Sequence, residues 1–220
     1  YELAVIFQHG IQKMFVELEN YYYYITVTNE NYEQPAKPEG SDEGIIKGMY
    51  QLIENKKHQV ILLGSGSILN ESVKAVEILS SVGIAAEVWS VTSFNMLRKD
   101  GIDKQRFNEL NPDLLSKVSY VEECLSNESI PVIASTDYMR AYPEQIRSYI
   151  KAPFYTLGTD GYGRSDSREK LREFFEIDAN NIARMATYAL FKKDSITKTE
   201  INKIYKKLKV NPAKPNPWEV

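Results

Sequence analysis

Four short apolar runs, each closed by small or polar residues and each followed by a helix-like stretch, constrain this 220-residue chain most. They are HQVILLGSGS, IAAEVWSV, IPVIASTDY and APFYTLGTD. Apolar runs of this length, bounded by turn residues, read as strands buried on both faces. Between them, ILNESVKAVEILSSVG places Val73, Val76 and Leu79 at helical intervals and stops at Gly83. NMLRKDGIDKQRFNELNP predicts a short helix before Pro112, KVSYVEECLSN a further helix, and YPEQIRSYI a helix with Pro143 in its first turn. SREKLREFFE, DANNIARMATYALFKK and TKTEINKIYKKLKV predict three successive helices ahead of a proline-rich tail. Strands alternating with helices at this spacing predict an α/β fold: a parallel or mostly parallel sheet with a helical layer on each face.

The first fifty residues follow another pattern. Leu3, Phe7, Ile11, Met14 and Phe15 are helically spaced, with Gly10 weakening the middle. YYYYITVTNEN is aromatic and β-branched and predicts a buried strand, its tyrosines supplying bulk to both faces. YEQPAKPEGSDEG has the composition of a linker. Ser41 is placed to cap a helix that IIKGMYQLI continues on an apolar stripe.

Charge and cysteine content narrow the function classes. Acids and bases are interspersed at a net charge of −3, which disfavours a nucleic-acid binder. No apolar run approaches the roughly 20 residues that span a bilayer. Cys124 is the single cysteine, so no internal disulfide forms; no Cys/His spacing suggests zinc, and a reducing, cytoplasmic setting is expected. YELAVIF has neither an initiator Met nor the layout of a signal peptide, and the expectation is a piece of a longer protein.

Two glycine-rich stretches invite chemistry. GSGS (64–67) follows a strand and opens a helix, where a dinucleotide fingerprint would lie, but Leu69 stands where its third glycine belongs. Glu87, the acid at the right distance for a ribose, sits inside its strand. A Walker A loop and a G-x-S-x-G elbow both fail, since no Gly-Lys-Ser/Thr follows and Gly66 takes the serine position. An independent Rossmann-like nucleotide-binding module is therefore the alternative function, and a small hydrolase a weaker one.

GTDGYGRSDSR (158–168) is the second stretch. Thiamin diphosphate enzymes carry Gly-Asp-Gly followed some two dozen residues later by Asn-Asn. Here Thr159 replaces the first glycine, and Asn180-Asn181 come too early and sit in a helix N-cap region. The plainer expectation is a glycine turn feeding a helix capped by Asp166, with Glu169 as capping-box partner. Asp160, Gly161, Gly163, Arg164, Ser165 and Arg168 form a candidate anion or subunit contact, because two guanidinium groups lie beside a helix N-terminus. Asp137, closing the strand of IPVIASTDY, is a further candidate. His9 and His58 stand alone, the latter expected in solvent, and Cys124 beside two glutamates is expected to be unreactive.

Several phrases together, YYYYITVTNENYEQPAKPEG, LLGSGSIL, VWSVTSFNMLRKDG, ASTDYMRAYPEQIRSYI and LGTDGYGRSDSREKLREFFEID, carry a family resemblance. The chain resembles the C-terminal end of the homodimeric-type pyruvate dehydrogenase component, a thiamin-dependent enzyme of the transketolase-like superfamily. The resemblance implies that residues 1–38 are a helix and strand from the end of the pyrimidine-binding domain. Residues 39–220 would be a transketolase-type C-terminal domain: Rossmann-like, αβα, with a mixed, mostly parallel sheet. It implies decarboxylation of pyruvate and transfer of the acetyl unit to lipoyl groups by the parent, a homodimer working with a dihydrolipoyl acetyltransferase. It also implies thiamin diphosphate and Mg²⁺ in the parent, bound by residues upstream of Tyr1, and no catalytic or cofactor ligand here. The role left for these residues is structural and dimer-stabilising.

Overall fold

The computed structural model describes residues 1–219. Helix α1 (Glu2–Ile11) widens into a π turn at Gln12–Val16, and residues 17–40 form neither helix nor strand. A short helix α2 (Asp42–Lys47) then leads into strands β1 (Met49–Ile53) and β2 (Val60–Ser65), helix α3 (Ile68–Ser80) and β3 (Ala86–Val91). Next come α4 (Phe94–Leu110), α5 (Tyr120–Cys124), β4 (Val132–Ser135), α6 (Ala141–Glu144) and β5 (Phe154–Leu157). Helices α7 (Arg168–Phe174), α8 (Ala179–Lys192) and α9 (Lys198–Lys207) complete the order.

The five strands lie in the order β1-β3-β2-β4-β5. β3, β2, β4 and β5 are parallel, and β1 joins the β3 edge antiparallel. Alternation along β2 shows why both faces are covered. Val60 and Leu62 enter one core with Ile68, Leu79, Ile182, Ala186 and Leu190 of α3 and α8. Ile61 and Leu63 enter the other with Phe94, Leu97, Val121 and Ile146, from α4, α5 and the residues after α6. The mixed, mostly parallel three-layer sheet agrees with expectation. At the outer edge, the Arg147 guanidinium donates to the Phe154 carbonyl of β5 at 3.0 Å.

Four local expectations are corrected. The helix starting at Asp42 ends at Lys47, because Gly48 turns left-handed (φ +113°) and sends Met49–Ile53 into β1 instead of continuing the helix. The helix before Pro112 is long, seventeen residues; only Phe94, Leu97 and Gly101 are buried, so its sequence looks polar throughout. YYYYITVTNEN is not a strand: among the described residues no strand pairs with it, and Tyr22 and Tyr24 are 87% and 88% exposed. His58 is half-buried rather than free in solvent; its Nδ1 lies 2.7 Å from the Asn55 carbonyl and 3.2 Å from buried Glu87.

The N-terminal segment is tied to the sheet at β1 and β3 and to helix α7. Glu2 accepts from the hydroxyls of Tyr50 (2.7 Å) and Ser90 (2.6 Å), and burial pushes the Tyr50 phenol well above its ordinary pKa. Farther along, Glu30 and Asn29 meet Arg168 of α7, and the Tyr32 hydroxyl accepts from Arg172 at 3.3 Å. Arg172 itself reaches the buried carboxylate of Glu71 on α3.

Candidate functional site

The parallel strands grow outward in both directions from β2, with β3 on one side and β4 on the other. Their C-terminal ends flank a topological switch point, where open α/β sheets present ligand-facing residues. Three sequence features meet along this edge: the GSGS turn after β2, Asp137 after β4, and the glycine turn after β5.

Gly64 is required by packing. A Cβ there would lie 2.7 Å from the Leu69 Cα, so the residue replacing the fingerprint's third glycine closes directly over the strand. The Ser67 hydroxyl donates to Asp137 Oδ2 at 3.2 Å, spanning the switch point. The Asp137 carbonyl accepts from the Thr159 hydroxyl at 2.6 Å, and the Thr159 N–H donates to the Tyr138 carbonyl at 2.9 Å. Gly158 permits this approach, since a Cβ would meet the Tyr138 carbonyl oxygen at 2.6 Å. Glu87 lies near the start of β3, at the opposite end of the sheet, where it accepts from the Trp89 indole at 2.5 Å.

The candidates of the 158–168 stretch do not share one surrounding. Asp160 faces the start of α6, accepting from the Arg140 N–H at 3.0 Å with the Arg140 side chain at 3.4 Å. Gly161, at φ +97°, backs onto Pro217 and Trp218 of the tail. Gly163 and Arg164 line an open cleft of about 320 Å³ with Tyr162, Trp218 and Glu219, and the Arg164 guanidinium stands 5.3 Å from the Phe174 ring. Ser165 is exposed. Arg168 points away to Glu30 (2.5 Å) and Asn29 (3.1 Å), so its charge is met within the chain, and the Glu30 carboxyl is held below its ordinary range by that guanidinium.

One expectation at this turn is corrected. The N-cap of α7 is Ser167, whose hydroxyl accepts from the Lys170 N–H; the Asp166 carboxylate accepts from the Ser167 N–H one residue on. The capping box of Asp166 and Glu169 does not form, because the extended residue that starts the helix is one position later.

Sequence reasoning missed the surface around the turn. Tyr138 and Tyr142 stack at 4.8 Å, and Met139, Tyr162 (84% exposed) and Trp218 (66% exposed) are open to solvent beside Arg140 and Arg164. The phrase YMRAYP holds half of this surface; nothing local announces that Tyr162 and Trp218 join it. Cys124 is half-buried with its thiol pushed up, chiefly by burial, as its expected inertness requires.

The two residues that echo the thiamin motif, Asp160 and Asn181, are both engaged within the chain. Asp160 is taken up by Arg140, and Asn181 donates its N–H and its amide to Asp178, the N-cap of α8, while its amide oxygen accepts from Arg184 at 2.9 Å.

Comparison with known families decides the lineage. Residues 48–178 match the family described as the transketolase-like TK C-terminal domain. The chain belongs to that family. Residues 1–35 match a second family, the pyruvate dehydrogenase E1 component middle domain. The pyruvate dehydrogenase E1 component of Pseudomonas aeruginosa is 52% identical over 100% of this chain, and that of Escherichia coli K12 is 47% identical over 99%. In each case the chain spans only 25% of the relative's length. A transketolase of Pichia stipitis superposes with a TM-score of 0.50 at 21% identity, covering 70% of this chain and 19% of that one, which shows a shared fold. The residues matched to the transketolase-like C-terminal domain span all five strands and helices α3 to α7.

Proposed function

We propose that this chain is the C-terminal part of a pyruvate dehydrogenase E1 component that decarboxylates pyruvate and passes the acetyl unit to lipoyl groups. Identity of 41–52% with proteins of that name, across essentially the whole chain, supports this assignment. In this reading the domain boundary falls after residue 38, and residues 1–38 complete a middle domain whose other parts precede them. Thiamin diphosphate and Mg²⁺ would supply the carbanion chemistry from ligands upstream. The protein would be cytoplasmic and would serve a dihydrolipoyl acetyltransferase.

The residues described here would contribute structure: they stabilise a homodimer. The observation that carries this role is the exposed surface of Tyr138, Met139, Tyr142, Tyr162 and Trp218 with Arg140 and Arg164. Aromatic residues, Met and Arg are the types enriched in protein–protein interfaces, and Tyr, Trp and Arg supply most binding hot spots. The test is sedimentation of the intact protein carrying Arg140→Glu and Tyr142→Ser. Dissociation to monomers with loss of pyruvate turnover is expected. An undisturbed dimer would remove this surface from the interface. Titration of thiamin diphosphate with Mg²⁺ into the 220-residue chain is expected to show no binding, and measurable binding would relocate the cofactor ligands.

A further inference from the structure

Residues 192–209 hold seven lysines and two carboxylates, a surplus of five positive charges in a chain whose net charge is −3. The remainder of the chain is correspondingly acidic. The fold turns this stretch into a face. On α9, Ile201 and Ile204 are buried against the core, while Lys198, Lys203, Lys206 and Lys207 are exposed. Lys192 at the end of α8 and Lys209 just beyond α9 are exposed as well.

Little within the chain neutralises this face. Glu200 is engaged in the capping box, accepting from the Thr197 N–H and hydroxyl at 2.7 Å each. Lys207 donates to the Ser81 carbonyl at 3.0 Å and Lys193 to the Ser129 carbonyl, acceptors that carry no compensating charge. Among the described residues, no carboxylate lies within ion-pair distance of Lys192, Lys198, Lys203, Lys206 or Lys209. Elsewhere lysines and arginines are commonly paired, as at Lys13, Lys47, Lys104, Arg147 and Arg184.

We propose that the lysine face of α9 docks an acidic protein partner, a folded domain presenting a carboxylate-rich surface, in a transient, electrostatically steered contact. The choice of residue supports that occupant. No arginine follows Arg184, and lysine is a hydrated, flexible point charge suited to long-range attraction rather than to a dry, bidentate contact. A nucleic acid fits less well. Tyr205, the aromatic residue of α9, is half-buried, so no stacking platform accompanies the charge. A long polyanion would also run beyond the patch onto acidic surface, past the roughly 8 Å over which charge is felt at physiological salt. A membrane fits less well because the apolar residues of α9 face the core and none is free to insert. This proposal does not depend on the aromatic surface at the other site or on the enzyme assignment.

The experiment uses the intact protein and three probes: fluorescein-labelled poly-L-glutamate, duplex DNA, and phosphatidylserine vesicles. Stopped-flow association with polyglutamate is expected to slow steeply with added salt. It should slow about tenfold further in the Lys203→Gln, Lys206→Gln, Lys209→Gln variant, the scale of several surface charge pairs removed together. Replacing the same three lysines by arginine should restore the rate, and Lys56→Gln with Lys57→Gln should leave it unchanged. Unaltered thermal melting of each variant verifies folding. Equal slowing by the Lys56 and Lys57 substitutions, no effect of the triple variant, or preferential binding of DNA or vesicles at physiological salt would overturn the proposal.

Discussion

Arg172 on α7 lies 3.2 Å from the buried carboxylate of Glu71 on α3, and the second oxygen of that carboxylate accepts from the Ala179 N–H that opens α8. One side chain therefore joins three helices on the same face of the sheet. Glu71→Ala would leave a guanidinium and a helix-terminal N–H without their acceptor. The expected loss is about 2–3 kcal/mol in urea unfolding, as for other partners removed from buried charged groups. A loss well below that would show that solvent or Tyr32 takes over the role.

Gly64 and Gly66 lie two residues apart in one turn but differ in what constrains them. Gly64→Ala forces a Cβ against the Leu69 backbone and is expected to cost about 2 kcal/mol or more. At Gly66 the nearest atom is 3.8 Å from an added Cβ, so Gly66→Ala meets only the left-handed backbone at φ +57°, about 1 kcal/mol. Thermal melts of the two variants should rank in that order.

Glu144 gives the pH dependence a sign. The Arg147 guanidinium, hydrogen-bonded at 2.5 and 2.8 Å, holds its carboxyl below the ordinary range, and the Thr156 hydroxyl adds to the effect. A depressed folded pKa contributes stability that is complete above the unfolded value of ~4.3 and is lost as pH falls through the folded value. Glu144→Gln should therefore be less stable than the parent at neutral pH, with the gap closing below about pH 4. Solvent screening of this half-exposed pair limits the difference to about 1 kcal/mol or less. A gap that widens in acid would contradict the pairing.

The Glu30–Arg168 pair is on the surface, so its consequence is local. Glu30→Ala is expected to leave the melting temperature of the chain unchanged while increasing protease cleavage between residues 28 and 40. Equal cleavage rates would mean that Tyr32 and Arg172 alone hold the segment.

Phe15 and Leu18 are exposed on the N-terminal segment together with Phe7, Tyr22 and Tyr24. The 220-residue chain is expected to self-associate through this surface. Phe15→Ser with Leu18→Ser should shift sedimentation towards the monomer, and a parent chain that is already monomeric at high concentration would refute it.

The sheet was legible because its parallel strands are short apolar runs set off by glycines, prolines and polar residues. β1 was not, since Ile45, Met49 and Leu52 also satisfy helical spacing, and only the left-handed turn at Gly48 separates helix from strand. The β propensity of residues 21–28 is genuine, but a strand needs a partner, and none is offered among the described residues. At the candidate site, Asp137 and the glycine turn could be found because strand ends are where such residues collect. Arg140 and Trp218 could not, because chain topology, not local spacing, brings the tail and the start of α6 to that turn.

The contact between Arg147 and the Phe154 carbonyl has a consequence for assembly. β5 is the outer parallel strand, and its outward carbonyls would template any extended segment that reached them. The same chain carries an unpaired, β-prone, tyrosine-rich segment, so donor and acceptor for runaway strand exchange coexist in one molecule. By taking the Phe154 carbonyl with a charged side chain, Arg147 makes that edge a poorer template for such a segment.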